Sequence, residues 1–197
     1  QGMTKLILDL RGNGGGYMDA AIKISDEFLS KGSLIVYTQG RARSKEEYFA
    51  TNAGKLQEIE VVVLIDEGSA SASEIVSGAL QDNDRGTIVG RRSFGKGLVQ
   101  EQNMWPDGSA TRLTIARYYT PTGRCIQRSY KDGTKAYHDQ LRTRFENGEL
   151  ADETKIELED SIPFTTPAGK TVYGGGGIMP DLFVPLDTSG ASIYLSK

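Results

Sequence analysis

The 197-residue chain has very little of two residue types that many enzyme classes and metal sites need. It contains one cysteine, Cys125, and this excludes an internal disulfide framework. It contains one histidine, His138, in the polar and predicted helical stretch TKAYHDQLRTRFENGE. An exposed helical position is the simplest interpretation of this histidine. Neither a histidine-based catalytic triad nor a histidine-rich metal site is therefore expected.

Charge and apolar runs exclude two further classes of protein. The formal net charge is −3, whereas a nucleic-acid-binding protein would carry a basic excess. No apolar stretch approaches the ~20 residues that are needed to span a bilayer. A chain of this length can form one domain with a sizeable core, which we expect to cover residues 1–197. Because QGMTKLILDL enters a strand almost at once, we expect the sequence to be a piece of a longer chain.

Strands and helices alternate in the first half of the sequence. Apolar patterns predict strands at 5–10, 33–38, 61–65 and 87–90, and helices at 17–31 and after the serines of 67–82. Residues 41–60 form a polar connection. Two later segments, 98–102 and 110–119, predict a hairpin that turns at Asp107-Gly108. This order favours an α/β fold with a mostly parallel sheet.

The stretch EGSASASEIVSGALQD (67–82) contains four serines between an apolar strand and an apolar helix face. A structural interpretation is available, since Ser71 and Glu74 match a capping box that closes the start of a helix. A catalytic interpretation uses the same geometry. A serine between the C-terminal end of a strand and a helix N-terminus faces the crevice in which open α/β sheets bind ligands. Both interpretations stay open on this segment alone.

A serine nucleophile needs a base, and histidine is scarce here. Lysine can replace it where burial in an apolar site lowers the pKa of the amine toward neutrality. The stretch GRRSFGKGLVQ (90–100) offers Lys96, although a solvated loop lysine is the simpler interpretation of this residue alone. Gln100 lies on the same side of an extended chain, four residues on. Four residues of extended chain span roughly 13 Å, so a contact between Gln100 and Lys96 would need a bend near Gly97.

A glycine-rich segment, LDLRGNGGG (8–16), follows the first predicted strand. A simple turn is one interpretation. A phosphate-binding loop is a weak alternative, because the string fits neither the Walker pattern nor the dinucleotide fingerprint. A third role is oxyanion binding, since glycine lets backbone N–H groups approach a substrate closely.

Taken together, these segments resemble the carboxyl-terminal processing (tail-specific) serine peptidases. The resemblance extends from about Leu6 to Pro185 and rests on five motifs in the family's order: LILDLRGNGGG, GSASASEIVSGALQD, IVGRRSFGKGLVQ, LTIARYYTPTGRCIQ and GGGGIMPDLFVP. It implies a crotonase-like or Clp-protease-like spiral of ββα units with a mixed, mostly parallel sheet. It also implies no metal and no organic cofactor. The implied site residues are the nucleophile Ser71, the base Lys96, the orienting glutamine Gln100, and the oxyanion N–H donors Ala72 and either Gly15 or Gly16.

The resemblance implies a serine endopeptidase that cuts polypeptides near accessible C-terminal tails through an acyl-enzyme. The family usually carries a PDZ domain ahead of LILDLR, so we expect this chain to be a peptidase core without that domain. A periplasmic or envelope location of the parent protein follows from the same resemblance, which also allows a homo-oligomer and gives no role to nucleic acid. Two alternatives stay open: a non-catalytic peptide- or ligand-binding module on the same spiral, and an acyl-CoA enzyme of the crotonase type.

Overall fold

The computed structural model describes residues 2–157 and 162–187, so parts of the predicted 1–197 domain lie outside the described residues. Its α-helices are α1 Met18–Asp26, α2 Ala72–Asp82 and α3 Gly133–Glu146, and a 3-10 helix covers Glu153–Lys155. The strands of the described residues are β1 Lys5–Asp9, β2 Leu34–Gln39, β3 Glu46–Phe49, β4 Glu60–Ile65, β5 Thr87–Gly90, β6 Leu98–Met104, β7 Ala110–Tyr119, β8 Pro163–Thr165, β9 Thr171–Tyr173 and β10 Leu182–Phe183.

The first sheet is entirely parallel, with the strand order β1-β4-β5-β10. Parallel strands end at the same edge of a sheet, and ligands of open α/β sheets bind outside that edge. Three segments leave this edge. The glycine loop (residues 11–17) follows β1, the serine loop (residues 66–71) follows β4, and the lysine segment (residues 92–96) follows β5. The topology therefore brings together three segments that are far apart in sequence.

The second sheet is antiparallel, with the order β3-β2-β7-β6. An α/β fold with parallel and antiparallel strands is thus confirmed, but "mostly parallel" holds only for the first sheet. The difference arises from the predicted hairpin β6–β7 and from β3. The latter strand lies in the segment 41–60, whose polar sequence predicts a connection rather than a strand.

The hydrophobic core lies between the first sheet and helices α1 and α2, with side chains of β2 and β7 joining it. In α2 the predicted stripe is confirmed, since Ile75, Val76, Ala79 and Leu80 are all buried. Burial of this stripe is the main force that fixes the start of α2 against the sheet edge. The rigid helix start in turn positions the serine loop.

Two predicted elements differ from the structure. The apolar run at 5–10 favours a strand covered on both faces, but among the described residues β1 lies at one edge of its sheet, and Ile7 is 67% exposed. Helix α1 ends at Asp26 rather than continuing to residue 31. Its last turn tightens, because the N–H of Phe28 bonds to the carbonyl of Ser25 three residues back. In the described part of the chain, no helix combines the length and apolar character needed to cross a membrane.

Candidate active site

The serine loop is fixed to the glycine loop and to the end of β1. Ser69 is fully buried, and its hydroxyl donates to the carbonyl of Leu10 at 2.7 Å. The backbone N–H of Ala70 donates to the carbonyl of Asn13 at 3.0 Å. These contacts lock the turn that precedes Ser71.

Ser71 occupies the sharp turn between the serine loop and α2. Its backbone has φ 55° and ψ −114°, a region that residues with a Cβ rarely adopt. Such a conformation costs on the order of 1–3 kcal/mol and persists only where the surroundings impose it. Nucleophilic serines of α/β hydrolases occupy a comparable strained strand-to-helix turn, which exposes the hydroxyl above the sheet. The strain is therefore an independent observation in favour of the catalytic interpretation.

The other three serines of the stretch have structural partners. The Ser73 hydroxyl donates to the carbonyl of Asn13 at 3.0 Å, and the Ser77 hydroxyl donates to the carbonyl of Ser73 at 2.9 Å. Ser69, Ser73 and Ser77 are all buried, while Ser71 is half-buried and lines a cavity. Among the four serines, Ser71 is thus the one placed to meet a substrate.

Glu74 is fully buried, and its carboxylate accepts four hydrogen bonds. Oε2 accepts the backbone N–H groups of Ser71 and Lys96, each at 2.8 Å. Oε1 accepts the hydroxyl of Ser93 at 2.5 Å and the N–H of Gly95 at 2.6 Å. Burial raises the pKa of Glu74, and these four bonds act in the opposite direction. The predicted contact of Glu74 with the Ser71 N–H is confirmed, and the same carboxylate also holds the lysine segment.

Lys96 is half-buried and lines the same cavity as Ser71. A second side chain joins the backbones of these two residues. The Tyr118 hydroxyl lies 3.0 Å from the carbonyl oxygen of Ser71 and 2.5 Å from that of Lys96. Between the side chains themselves, the described contacts include no hydrogen bond from Lys96 Nζ to Ser71 Oγ. Their backbones are thus tied together on both sides while the side chains face the cavity.

Gln100 lies on the wall of the same cavity, in strand β6. Its side-chain amide donates to the Thr114 hydroxyl at 3.4 Å. The pairing of β6 with β7 shifts register between Val99 and Gln100. Within the described residues Gln100 makes no hydrogen bond with Lys96, so its role in orienting the lysine stays a prediction.

Gly15 packs directly under the Ser71 turn. A Cβ at position 15 would lie 2.4 Å from the carbonyl oxygen of Ala70 and 2.6 Å from the backbone nitrogen of Ala72. Its φ is +88°, which also favours glycine. The N–H of Gly15 donates to the side-chain oxygen of Asn13 at 2.9 Å, while Gly16 lines the cavity beside Ser71.

The cavity beside Ser71 has a volume of about 640 Å³, within the range of ligand sites. It brings together Ser71, Ala72, Lys96, Gln100 and Gly16, five of the six predicted site residues. A smaller cavity of about 140 Å³ adjoins it and is lined by Gly15, Gly16 and Ala72 together with the apolar side chains Leu10, Ile24 and Val76. An extended chain could therefore lie across the larger cavity and place one apolar side chain in the smaller one.

Two side chains of the site, Glu74 and Tyr118, make contacts that the sequence does not indicate. The capping-box pattern indicated the bond from Glu74 to Ser71, but no local signal indicated its bonds to Gly95 and Lys96. Tyr118 lies in a strand whose sequence pattern gives no reason to select its hydroxyl. In the described ranges, no group of three or more His, Cys, Asp or Glu side chains could hold a metal ion.

Comparisons with known proteins give matches in sequence and in fold. A family model described as peptidase family S41 matches residues 1–135. A carboxy-terminal-processing protease of Bartonella bacilliformis is 52% identical over 122 residues, which are 61% of this chain and 28% of that protein. A carboxyl-terminal-processing protease of a Synechocystis species is 46% identical over 121 residues, again 61% of this chain and 28% of the relative.

A solved structure of a photosystem II D1 C-terminal processing protease is also similar. It is 29% identical in sequence with a TM-score of 0.63, and the match covers 92% of this chain and 35% of that one. The chain thus spans only 28% of the length of the first curated relatives that it matches.

Proposed function

The chain belongs to peptidase family S41, and from this premise we propose that it is the catalytic core of a serine endopeptidase that cuts polypeptides near their C-termini. One observation carries the proposal. A strained serine and a half-buried lysine line one cavity, and a single carboxylate oxygen, Glu74 Oε2, accepts the backbone N–H of both. An arrangement that holds two segments in fixed relation at one cavity suits a nucleophile and its base.

In the proposed reaction the Ser71 hydroxyl attacks the scissile carbonyl while the neutral amine of Lys96 takes its proton. The tetrahedral intermediate collapses to an acyl-enzyme on Ser71, and the lysine returns the proton to the leaving amine. Water then attacks the ester while the lysine takes a proton from it, the lysine gives this proton to the departing Ser71 oxygen, and the product leaves with a free carboxyl group. Gln100 would orient the lysine in the substrate complex, where catalytic hydrogen bonds often tighten.

The oxyanion would be bound by the N–H of Ala72, at the start of α2, and by a glycine N–H. The Gly15 N–H already donates to Asn13, which supports Gly16 as the second donor. Gly15 would then serve by letting the glycine loop approach Ser71 closely. Donors that are fixed before the reaction stabilise the developing charge without reorganisation.

The same proposal includes polypeptide substrates with accessible C-terminal tails and a periplasmic or envelope location, and it allows a homo-oligomer. Family membership supports the substrates and the location. It also supports a crotonase-like or Clp-protease-like spiral of ββα units within the α/β fold. The small apolar cavity next to Gly16 would take an apolar side chain on the acyl side of the scissile bond.

The test is incubation of the protein with unstructured peptides of varied C-termini, followed by mass spectrometry of the products and of the enzyme. We expect short C-terminal fragments, a fluorophosphonate adduct on Ser71, and loss of both in Ser71→Ala. Ser77→Ala removes a hydroxyl from the same helix, away from the cavity, and should keep both. Peptide binding without cleavage or adduct would favour a non-catalytic binding module instead.

A further inference from the structure

The lysine segment (residues 92–96) has no regular secondary structure, yet most of it is buried. The backbone N–H and C=O groups of the segment therefore form hydrogen bonds with separate partners rather than with a neighbouring strand. On the side of the parallel sheet, the N–H of Phe94 donates to the carbonyl of Ser69 at 2.8 Å, and Glu74 and Tyr118 hold Gly95 and Lys96. The carbonyl of Gly95 accepts the N–H of Arg128 at 3.0 Å, while the carbonyls of Arg92 and Ser93 face a different part of the molecule.

Helix α3 supplies the donor for both of these carbonyls. The guanidinium of Arg144 donates from Nη2 to the carbonyl of Arg92 at 2.7 Å and from Nη1 to that of Ser93 at 3.0 Å. Arg144 is 2% exposed, so water does not compete for these bonds. The Ser93 hydroxyl donates in turn to Glu74, which connects α3 to the carboxylate that holds Ser71 and Lys96.

Glu149 fixes the orientation of Arg144. Its carboxylate accepts Nε of Arg144 at 2.8 Å and pairs with Arg92 through two bonds of 2.8 and 2.5 Å. All three side chains are nearly fully buried. Burial, together with the neighbouring Arg92, lowers the pKa of Arg144 to about 10, so the guanidinium remains charged at neutral pH.

An aromatic contact joins α3 to the same segment at a second point. The ring of Tyr137, in α3, meets the ring of Phe94 edge to face with 6.4 Å between centroids. The guanidinium of Arg128 lies over both rings, at 4.0 Å from the Phe94 centroid and 4.3 Å from that of Tyr137. Helix α3 has two buried residues, Tyr137 and Arg144. Both of them contact the lysine segment.

We propose that Arg144 is a positioning residue for Lys96, acting through its two bonds to the lysine segment. Arg144 lies outside residues 1–135, the range that the family model matches. The effect on catalysis rests on the proposed peptidase function, whereas the effect of Arg144 on the stability of the lysine segment does not. A displacement of about 1 Å at a catalytic group can reduce turnover by about 100-fold. Loss of Arg144 should therefore act mainly on kcat.

The experiment compares Arg144→Ala and Arg144→Lys with Arg142→Ala on the same helix. Arg142 is the matched control, because its side chain is 79% exposed and pairs with Glu146 one turn on. Two quantities are measured on each protein: hydrogen exchange at the amides of Phe94, Gly95 and Lys96, and the kcat and KM for one cleaved peptide, normalised to the folded fraction.

We expect at least tenfold faster exchange in Arg144→Ala and at least a tenfold lower kcat with KM within about twofold. Arg144→Lys, which can reach one carbonyl, should be intermediate, and Arg142→Ala should match the wild type. If Arg144→Ala does not fold, Arg144→Lys decides. Unchanged exchange, or a fall in thermal stability with normal kcat per folded molecule, would overturn the inference. A wild-type protein without Ser71-dependent cleavage would refute the proposed function alone. The hydrogen-exchange rates would still show whether Arg144 stabilises the lysine segment.

Discussion

Glu74 Oε2 accepts the backbone N–H of Lys96 at 2.8 Å, although 22 residues separate the two in sequence. The bond belongs to a carboxylate with no solvent contact, whose four partners are all donors. A buried acceptor of this kind is stable only when every donor is in place. The helix cap that the sequence indicates is thus also the contact that fixes the spacing between the proposed nucleophile and base.

The first prediction concerns the amine of Lys96. Replacement by alanine removes the proposed base, and replacement by arginine keeps a long nitrogen-bearing side chain but supplies a group that stays protonated. Both variants should lose on the order of 10²–10⁴-fold in kcat, the usual contribution of a general base. Steady-state kinetics on a cleaved peptide provide the measurement, with Lys23→Arg on the exposed face of α1 as the control. Near-normal turnover by Lys96→Arg would show that Lys96 is not the base.

The second prediction uses adjacent glycines that differ in their surroundings. A Cβ at Gly15 would meet the backbone of Ala70 and Ala72 at 2.4 and 2.6 Å, whereas a Cβ at Gly14 would meet nothing within 4 Å. Gly15→Ala should therefore lose activity and at least about 1–3 kcal/mol of stability from the strained backbone alone. Gly14→Ala should change the free energy of unfolding by less than about 1 kcal/mol.

Urea unfolding and peptide cleavage, measured on both glycine variants, provide the test. Equal behaviour of the two would mean that the glycine loop does not need its close approach to Ser71.

Local sequence signals predicted some elements closely. The strand at 87–90 has the predicted bounds, because a short β-branched run lies between glycines at Gly86 and Gly90. Strand β3, Glu46–Phe49, was missed, because two glutamates begin it and its pairing with β2 is a tertiary effect. The second sheet could not be separated from the first for the same reason, since strand alternation does not state which strands pair.

The candidate site was predictable where its geometry is local. The strand–serine–helix order placed Ser71 correctly at the start of α2, and the capping pattern indicated the Glu74 bond. Contacts that cross the fold gave no such signal. The hydroxyl of Tyr118 reaches the carbonyl of Ser71 across 47 residues, and Arg144 reaches that of Ser93 across 51. Only the packing of separate segments around one sheet edge creates these contacts.

The third prediction concerns the Tyr118 hydroxyl, which is buried between the carbonyls of Ser71 and Lys96. Tyr118→Phe removes the single hydroxyl proton that these two half-buried carbonyls share, which should cost about 1–3 kcal/mol of stability. The kcat should also fall, because the link between the two backbones is lost. The neighbouring Tyr119 stacks on Tyr37 with 4.8 Å between ring centroids, and Tyr119→Phe serves as the control.

Denaturant unfolding and cleavage kinetics of Tyr118→Phe and Tyr119→Phe give the comparison. If the two variants behave alike, the Tyr118 hydroxyl does not link the nucleophile to the base.

The last prediction concerns pH. Burial raises the pKa of Glu74 above its usual value of 4.5. As the pH falls through the raised value, the folded protein takes up a proton before the unfolded chain does. This group therefore increases the free energy of unfolding on acidification down to about pH 4.5, rather than decreasing it. A neutral carboxyl cannot accept from all four donors, so the arrangement of Ser71 and Lys96 should be lost while the fold is retained.

The Glu74 carboxyl is best followed directly, because a change in activity at acid pH does not identify the group that titrates. Carbon-13 NMR of the glutamate carboxyls, with the Glu74 signal identified by its absence in Glu74→Gln, should give a midpoint above 4.5 while circular dichroism stays unchanged. Glu74→Gln resembles the neutral carboxyl and should be poorly active even at neutral pH. Glu67 lies on the serine loop and pairs with Arg91, and Glu67→Gln, which removes this carboxylate, should remain active. A Glu74 midpoint at or below 4.5, or a fully active Glu74→Gln, would show that the four bonds to this carboxylate do not hold the site in its working geometry.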